Sequence, residues 1–430
     1  MPSGRLARLA RFGGLGVQVA GGVLAEGARR AAKGERPRLG DLLLTPANAR
    51  RVTDQLSTLR GAAMKLGQLV SMDAGDVLPA ELSDILGTLR SDAQPMPRAQ
   101  LLAQLESAWG LDWRARVPRF DMAPIAAASI GQVHRARAAD GRDLAVKVEY
   151  PDVARSIDSD VDNVATLLRV SGMLPKSLDI APLLAEAKRQ LHEEADYVRE
   201  AAMLTAYRER LKEDDRFLVP AAHPDLSGEA VLAMDYAPGA PLDTLATADQ
   251  AERDRVAGAL VELVARELWE WGWMQTDPNL ANTLVRRDTG AIVLLDFGAT
   301  QPVGEDTQAL YRDLARAVLA RNRAGVERGL EAMGLLDAAT TTANRAAVLD
   351  LAEVAMAELH AHPLFDFGDG SLVRRLRDDG TAIARDRDAW RLPPSATLFV
   401  QRKVSGTALM ASRLKARVDV IGLLSRFVTA

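Results

Sequence analysis

The chain has 430 residues, 48% of them hydrophobic, 26% charged and only 4% aromatic, with a formal net charge of −4. That length holds a full enzyme of two domains or one large two-lobed body, and the composition is that of a helix-rich globular protein without the polar bias of disorder. The absence of cysteine excludes disulfides, thiolate nucleophiles and cysteine-based zinc sites and agrees with a reducing, cytoplasmic setting, while the slightly acidic balance argues against general nucleic-acid binding.

Residues 1–50 form an N-terminal arm with a local excess of arginine. Its apolar run FGGLGVQVAGGVLA, 12–25, is flanked by Arg5, Arg8 and Arg11 on one side and Arg29 and Arg30 on the other. It is shorter than the roughly 18–20 residues a spanning helix needs and is interrupted by glycines, so no transmembrane segment is expected there. Two readings stand side by side: an interfacial helix on an anionic membrane surface, or a frayed arm. The terminal stretch VDVIGLLSRFVTA is also too short and carries Arg426, so any membrane contact is expected to be peripheral.

Residues 51–115 read as a helical extension bounded by the breakers TPAN and QPMP. Within it, Leu56, Leu59, Ala63, Leu66 and Val70 make one apolar stripe, and Gly61, Met64, Lys65, Gln68 and Met72 the opposite face. Two methionines and a glycine suit a covered face better than a solvated one, and a covered Lys65 needs an acid. Residues 116–236 read as a lobe combining an antiparallel β-meander to residue 150, helices over 153–213 including one through LLAEAKRQLHEEADYVREAAML, and a strand, EAVLAMDY, entering a Gly/Pro-marked linker. Met234, Asp235 and Tyr236 stand at that connection, where a kinase-like reading expects nucleotide contacts. Residues 237–430 read as a helical lobe containing the buried helix VAGALVELVARELWEWGW and a hairpin, NTLVRRDTGAIVLLDFG, turning at DTG; from Asp306 onward helix is expected to the end.

The chemistry concentrates in QTDPNLANTLVRRDTGAIVLLDFG. Asp277 and Asn282 stand in D-x-x-x-x-N spacing, a hairpin follows, and it closes on Asp296-Phe297-Gly298. This is the catalytic-loop and metal-loop arrangement of a protein-kinase-like chain. Nucleotide phosphates bring several negative charges with Mg²⁺, a hard cation; Asn282 and Asp296 offer it an amide and a carboxylate oxygen, and Asp277 orients or deprotonates the attacking group. An isolated DFG is usually an exposed turn, but here the upstream motif and the hairpin make coincidence improbable. In DLAVKVEY, Ala145 and Lys147 fall on one strand face and Leu144, Val146 and Val148 on the other. A lone strand lysine is commonly a snorkelling edge residue; as the counterpart of the kinase lysine strand, Lys147 holds the α- and β-phosphates and Ala145 lies against the adenine. Glu193, Asp196 and Glu200 share a helical face, from which Glu194 diverges. Three acids on one face repel one another and read as a solvated face unless a cation sits opposite, for which Lys147 and Lys65 are the two candidates. The phosphate loop departs from the kinase rule: Ala126-Ala127-Ala128-Ser129-Ile130-Gly131-Gln132-Val133 keeps only the third glycine, which makes a stiffer cradle.

Taken together, KLGQ at 65–68, AAASIGQVH at 126–134, AVKVEYP at 145–151, EADYVREA at 194–201, MQTDPNLAN at 274–282 and LLDFGAT at 294–300 resemble the UbiB/ADCK family of atypical kinase-like proteins associated with ubiquinone biosynthesis, closest to its mitochondrial and proteobacterial branch. The resemblance implies an α+β, bilobal protein-kinase-like fold whose N-terminal helical extension covers the active cleft. Carried over by position, Lys147 is the nucleotide lysine with Glu200 its partner, Asp277 the catalytic aspartate, and Asn282 and Asp296 the metal ligands. Ala126, Ala127, Ala128, Ser129, Gly131 and Val133 form the nucleotide loop. Glu194 and Asp196 are the acids expected to meet Lys65 and Gln68, which occupy space a protein substrate would need, and Lys65 is also counted as catalytic. The implied cofactors are ATP or ADP and Mg²⁺. The implied partners are a quinone-precursor lipid or an anionic membrane surface and ubiquinone-biosynthesis enzymes, at the inner membrane face. The expected activity is ATP hydrolysis in support of quinone-lipid synthesis; the alternatives are a small-molecule or lipid kinase, and a nucleotide-gated scaffold. After DFGAT the chain enters helix with no A-P-E and no long activation segment, which leaves a peptide substrate little platform.

Overall fold

The computed structural model describes residues 95–128, 130–170, 181–338, 340–372 and 395–428. The N-terminal arm, most of the helical extension with Lys65 and Gln68, and Ser129 lie outside the described residues. The chain divides into two compact units, Met1–Asp196 with Gly228–Leu232, and Tyr197–Ser227 with Ala233–Ala430.

In the first unit, helix α1 (Arg98–Trp109) buries Leu101, Leu105 and Trp109, a spacing of four that places all three on one side. A short turn, α2 (Trp113–Arg116), follows. Trp109, Trp113 and Phe120 pack edge-on or tilted, with centroids 5.7 to 6.3 Å apart, and form the aromatic floor of this unit. Strands β1 (Arg119–Phe120), β2 (Ala126–Ala127), β3 (Gly131–Arg137) and β4 (Asp143–Glu149) follow, with β1, β2 and β4 all antiparallel to β3. The meander is therefore as expected, and β6 (Val231–Asp235) extends the sheet beyond β4.

Along β3, Gln132, His134 and Ala136 point inward while Arg135 and Arg137 are exposed, the period-two alternation of a strand with one face in the core. His134 is fully buried, its Nε2 2.7 Å from Gln132 Nε2 and its Nδ1 2.7 Å from the carbonyl of Asp121; burial holds its pKa below the ordinary imidazole value. Gln132 Oε1 accepts from the amide of Met96 at 2.8 Å and so ties the strand to the approach to α1. β4 is covered on both faces, so Lys147 is a buried residue and not an edge lysine. Helices α3 (Val153–Val170) and α4 (Ala181–Glu194) pack together, with Lys188 paired to Asp162 at 2.7 Å.

The stretch expected as one helix, LLAEAKRQLHEEADYVREAAML at 183–204, is broken. α4 ends at Glu194, and a new helix, α5 (Tyr197–Leu211), starts after Asp196. Glu193 and Glu200 therefore lie on different helices and do not share a face; Glu193 instead accepts from Arg189 one turn earlier, at 2.6 Å. The alanine-rich, helix-favouring composition masks the break, because no Gly or Pro marks it.

The second unit contains α5, β5 (Phe217–Leu218), β7 (Ala240–Pro241), α6 (Gln250–Arg266), β8 (Trp273–Gln275), β9 (Thr283–Val285), β10 (Ile292–Leu294) and β11 (Thr300–Pro302). Asp249 starts α6 by accepting the amide of Glu252, and five residues of π-helix, Glu267–Trp271, extend it before Gly272, at φ 70°, ends it in the left-handed conformation that glycine takes without strain. Helices α7 (Glu305–Leu319), α8 (Arg323–Ala332), α9 (Thr342–Ala361), α10 (Ser395–Arg413) and α11 (Val420–Val428) complete it. The expectation of helix to the end needs one amendment, an antiparallel pair of two-residue strands, β12 (Phe365–Asp366) and β13 (Arg417–Val418). Phe399 and Val400 of α10 join Val264, Leu268, Met274 and Val303 in one core cluster, which fixes α10 beside α6.

Candidate active site

In the first unit the strand register lines up three of the expected nucleotide residues. Ala126 stands opposite Val133, and Val133 opposite Lys147, so one row crosses β2, β3 and β4. Directly opposed residues of antiparallel strands share a face, and Ala145 and Glu149, two residues either side of Lys147, are on that face too. Gly131 stands opposite Glu149. Ala126 and Ala127 are exposed, and the backbone of Ala128 closes the loop by donating to the carbonyl of Gly131 at 2.9 Å. Glu149 is the unusual member. Its carboxylate takes a hydrogen bond from the Ala154 amide, yet Oε1 is buried without a hydrogen-bond partner among the described residues, and burial pushes its pKa to about 7.

The second unit brings Asp277, Asn282 and Asp296 to one pocket. Two antiparallel pairs do this. Thr300 opposes Gln275 across β8 and β11, and Thr283 opposes Leu294 across β9 and β10, so the loops 276–282 and 295–299 leave neighbouring strand ends side by side. Thr276 rivets them, donating from its amide (3.1 Å) and hydroxyl (2.7 Å) to the carbonyl of Ala299. The Leu295 amide donates to the carbonyl of Asn282 at 3.0 Å. Inside the first loop the Asn279 side chain accepts from the Ala281 amide, forming the single turn that presents Asn282. Asn282 Nδ2 donates to Asp277 Oδ2 at 3.5 Å, which turns the amide oxygen away from that carboxylate. Asp296 Oδ1 accepts from the Gly298 amide at 3.1 Å.

Glu200, buried on α5, accepts the Phe297 amide at 3.5 Å, and its neighbour Arg199 donates to the carbonyls of Gly298, at 2.8 Å, and Thr300. The start of α5 thus holds the second loop from behind. Met234 is buried, and the Asp235 carboxylate is engaged by the Ala221 amide at 3.0 Å and His223 Nε2 at 2.9 Å, so it stabilises its own connection. Tyr236 is half-buried. Glu194 ends α4 and Asp196 lies in the break before α5, and their expected partners Lys65 and Gln68 lie outside the described residues.

One amide oxygen and one carboxylate on a common pocket fit Mg²⁺, which takes few protein ligands and completes its shell with water and phosphate oxygens. No group of three or more acidic or histidine side chains able to hold a metal occurs among the described residues.

Sequence reasoning missed what lies beneath the loop. Glu267 is wholly buried; its Oε1 accepts from the hydroxyl of Tyr207 (2.6 Å) and the amide of Gln275 (3.2 Å), and its Oε2 pairs with Lys403 Nζ at 3.1 Å. Lys403 also donates to Gln275 Oε1 at 3.3 Å, and Gln275 Nε2 donates to the carbonyl of Asp277 at 2.9 Å. Burial and the Glu267 charge raise the Tyr207 pKa well above the ordinary phenol value, so it stays a donor. Arg402, 2% exposed, places Nη2 4.0 Å from Asp277 Oδ1. The signal was present in the sequence: Glu267 continues the α6 stripe Val256, Leu260, Leu263, Val264, and Arg402 and Lys403 interrupt the α10 stripe Phe399, Gly406, Met410. Charges on a core-facing stripe must be paired.

Residues 88–330 match the ABC1 atypical kinase-like domain. The chain belongs to that atypical kinase family. It is 36% identical to "Atypical kinase COQ8B, mitochondrial" of Rattus norvegicus over 97% of its own length and 79% of the relative's. It is 35% identical to "Atypical kinase COQ8, mitochondrial" of Saccharomyces cerevisiae over 97% and 83%. Both relatives are COQ8 proteins of the UbiB/ADCK group. Among solved structures, a Mycobacterium tuberculosis protein, Rv3197, in complex with erythromycin aligns with a TM-score of 0.60 over 87% of this chain and 93% of that one at 23% identity, a likeness of fold. The fold is α+β and protein-kinase-like. No helix among the described residues is long and apolar enough to cross a membrane.

Proposed function

We propose that this atypical kinase binds ATP with Mg²⁺ and hydrolyses it in support of quinone-lipid synthesis. The observation that carries the reading is the convergence of Asp277, Asn282 and Asp296 on one pocket. Asn282 and Asp296 would hold the cation. When bound, it neutralises charge on the phosphates. Asp277 orients the attacking water and takes its proton. Lys147 engages the nucleotide's phosphates, with the alanine loop and Ala145 beside the nucleotide, Glu200 orienting the lysine, and Met234, Asp235 and Tyr236 contributing to the same site. Lys65 and Gln68, with Glu194 and Asp196 as partners, exclude peptide substrates. The boundaries near residues 50, 115 and 236 belong to the same reading, as does peripheral attachment at an inner membrane face near quinone-biosynthesis enzymes; the names of the relatives give a mitochondrial setting.

The test is Asp296→Asn in the full chain. Removing one carboxylate should abolish Mg²⁺-dependent ATP binding and lower turnover by at least about 100-fold, the scale of losing a transition-state electrostatic group. Unchanged hydrolysis would sink the reading. Labelled ATP offered with a cell lipid extract, with and without liposomes, separates two outcomes: free phosphate stimulated by liposomes supports the ATPase, and label in a lipid identifies a lipid kinase.

A further inference from the structure

Transfer of a phosphoryl group needs fixed positive charge and a catalytic carboxylate held in one orientation. The loop from Thr276 to Asn282 contains no basic residue, and Asn279, which could point toward a substrate, is spent on capping its own turn. What reaches the loop from elsewhere in its own unit is α10. Adjacent helix residues diverge by about 100°, so Arg402 and Lys403 leave the helix toward different targets. Arg402 Nη2 stands 4.0 Å from Asp277 Oδ1, a charge contact longer than a hydrogen bond. Lys403, anchored on buried Glu267, goes to Gln275, whose amide nitrogen holds the carbonyl of the same aspartate. Consecutive residues of one helix thus bear on both ends of Asp277, Arg402 facing its side chain and Lys403 acting on its main chain through Gln275.

A third feature of α10 sets the spacing. Gly406, one turn beyond Arg402, faces Pro278; a methyl group there would lie 2.1 Å from Pro278 Cγ and 2.6 Å from Cβ. A side chain at 406 would therefore push the loop off the helix. Tyr207, which completes the Glu267 cluster, also packs on Phe297 with centroids 4.3 Å apart, so the same base supports the metal-loop side.

We infer that Arg402, Lys403 and Gly406 of α10 are positioning residues for the catalytic aspartate: Arg402 orients its carboxylate, Lys403 fixes its backbone through Gln275, and Gly406 allows the loop to seat. The inference rests on Asp277 being the catalytic aspartate. It assigns to a helix far along the chain the cationic support that the loop's own sequence lacks.

The experiment uses the full chain and two independent readouts. In steady-state ATP hydrolysis, Arg402→Gln and Gly406→Ala should each lower kcat about 10- to 100-fold, as misplacement by about an ångström does, with KM for ATP within about twofold of the parent. Arg402→Lys should recover part of kcat, because a cation returns without the guanidinium fork. A parent-like kcat in both Arg402→Gln and Gly406→Ala, or a loss no smaller in Arg402→Lys, overturns the assignment. The second readout needs no turnover. Melting temperatures of Arg402→Gln, Asp277→Asn and the double variant should be non-additive, the double shift being smaller than the sum, because the two groups interact. Additive shifts overturn the pairing. Were the parent protein to hydrolyse no ATP, the ATPase reading would fail while the melting cycle still decided the contact.

Discussion

The row Ala126–Val133–Lys147 in the first unit and the loop Thr276–Asn282 in the second are held in place by opposite means. The row is set by strand register: backbone ladders across β2, β3 and β4 fix which side chains share a face, and neighbours in sequence suffice to build it. The loop has little backbone ladder of its own. It is positioned by side chains brought from α5, α6 and α10, with Tyr207, Glu267 and Lys403 as its buried base. A register-built region tolerates exchange of single side chains, since the hydrogen bonds belong to the main chain. A charge-built region does not, since each member leaves a buried partner behind.

The largest expected effect tests that contrast where charge is most buried. Glu267→Leu strands Lys403 and removes the acceptor of Tyr207 and of the Gln275 amide; breaking a buried pair from one side costs about 3–5 kcal/mol. Urea unfolding should show this loss, and Glu267→Leu combined with Lys403→Met should regain a large part of it. If the single variant unfolds at the parental midpoint, the buried base contributes nothing and the contrast collapses.

The same contrast explains what could be read from the sequence. Asp277, Asn282 and Asp296 were legible because their spacing and the DTG hairpin are local, and Thr283 opposite Leu294 closes them by simple pairing. Ala126, Val133 and Lys147 were legible for the same reason. Glu267, Arg402 and Lys403 were missed because their partners lie on other elements, and only their place on apolar stripes hinted at burial. The break between Glu194 and Tyr197 was missed because helix-favouring residues run straight through it. Gln132 and His134, inside AAASIGQVH at 126–134, face the core, so part of that motif secures the sheet and not a ligand.

An intermediate effect comes from a poorly matched charge in the first unit. Glu149 has a folded-state pKa of about 7 against a reference of 4.5. A raised value means that the folded protein binds the proton more tightly than the unfolded chain. Its stabilisation is complete below about pH 4.5 and is lost as pH rises through about 7. The full difference, about 3 kcal/mol, should appear as a parent that is less stable than Glu149→Gln at pH 8, with the gap shrinking toward pH 5. Thermal melts of both proteins across that range check it. A gap independent of pH would remove Glu149 from the exceptions to the register-built region.

The smallest effect belongs to the exposed Arg135–Asp143 pair, which joins β3 and β4 at 2.7 Å with both side chains more than 40% exposed. The Arg135 hydrogen bond holds the Asp143 carboxyl below its usual range, so whatever the pair contributes is present above the unfolded pKa and lost as pH falls through the folded one. Water screens it, and ordering the two side chains offsets what remains, so Asp143→Asn should cost less than about 0.5 kcal/mol. That small difference should fade in 1 M salt, where screening acts over about 3 Å. The pair is nearly as short as the hydrogen bond from Tyr207 to Glu267, at 2.6 Å. If Asp143→Asn cost as much as Glu267→Leu, distance and not burial would be the quantity that separates the two regions, and the ranking of all these variants would have to be rebuilt on contact length.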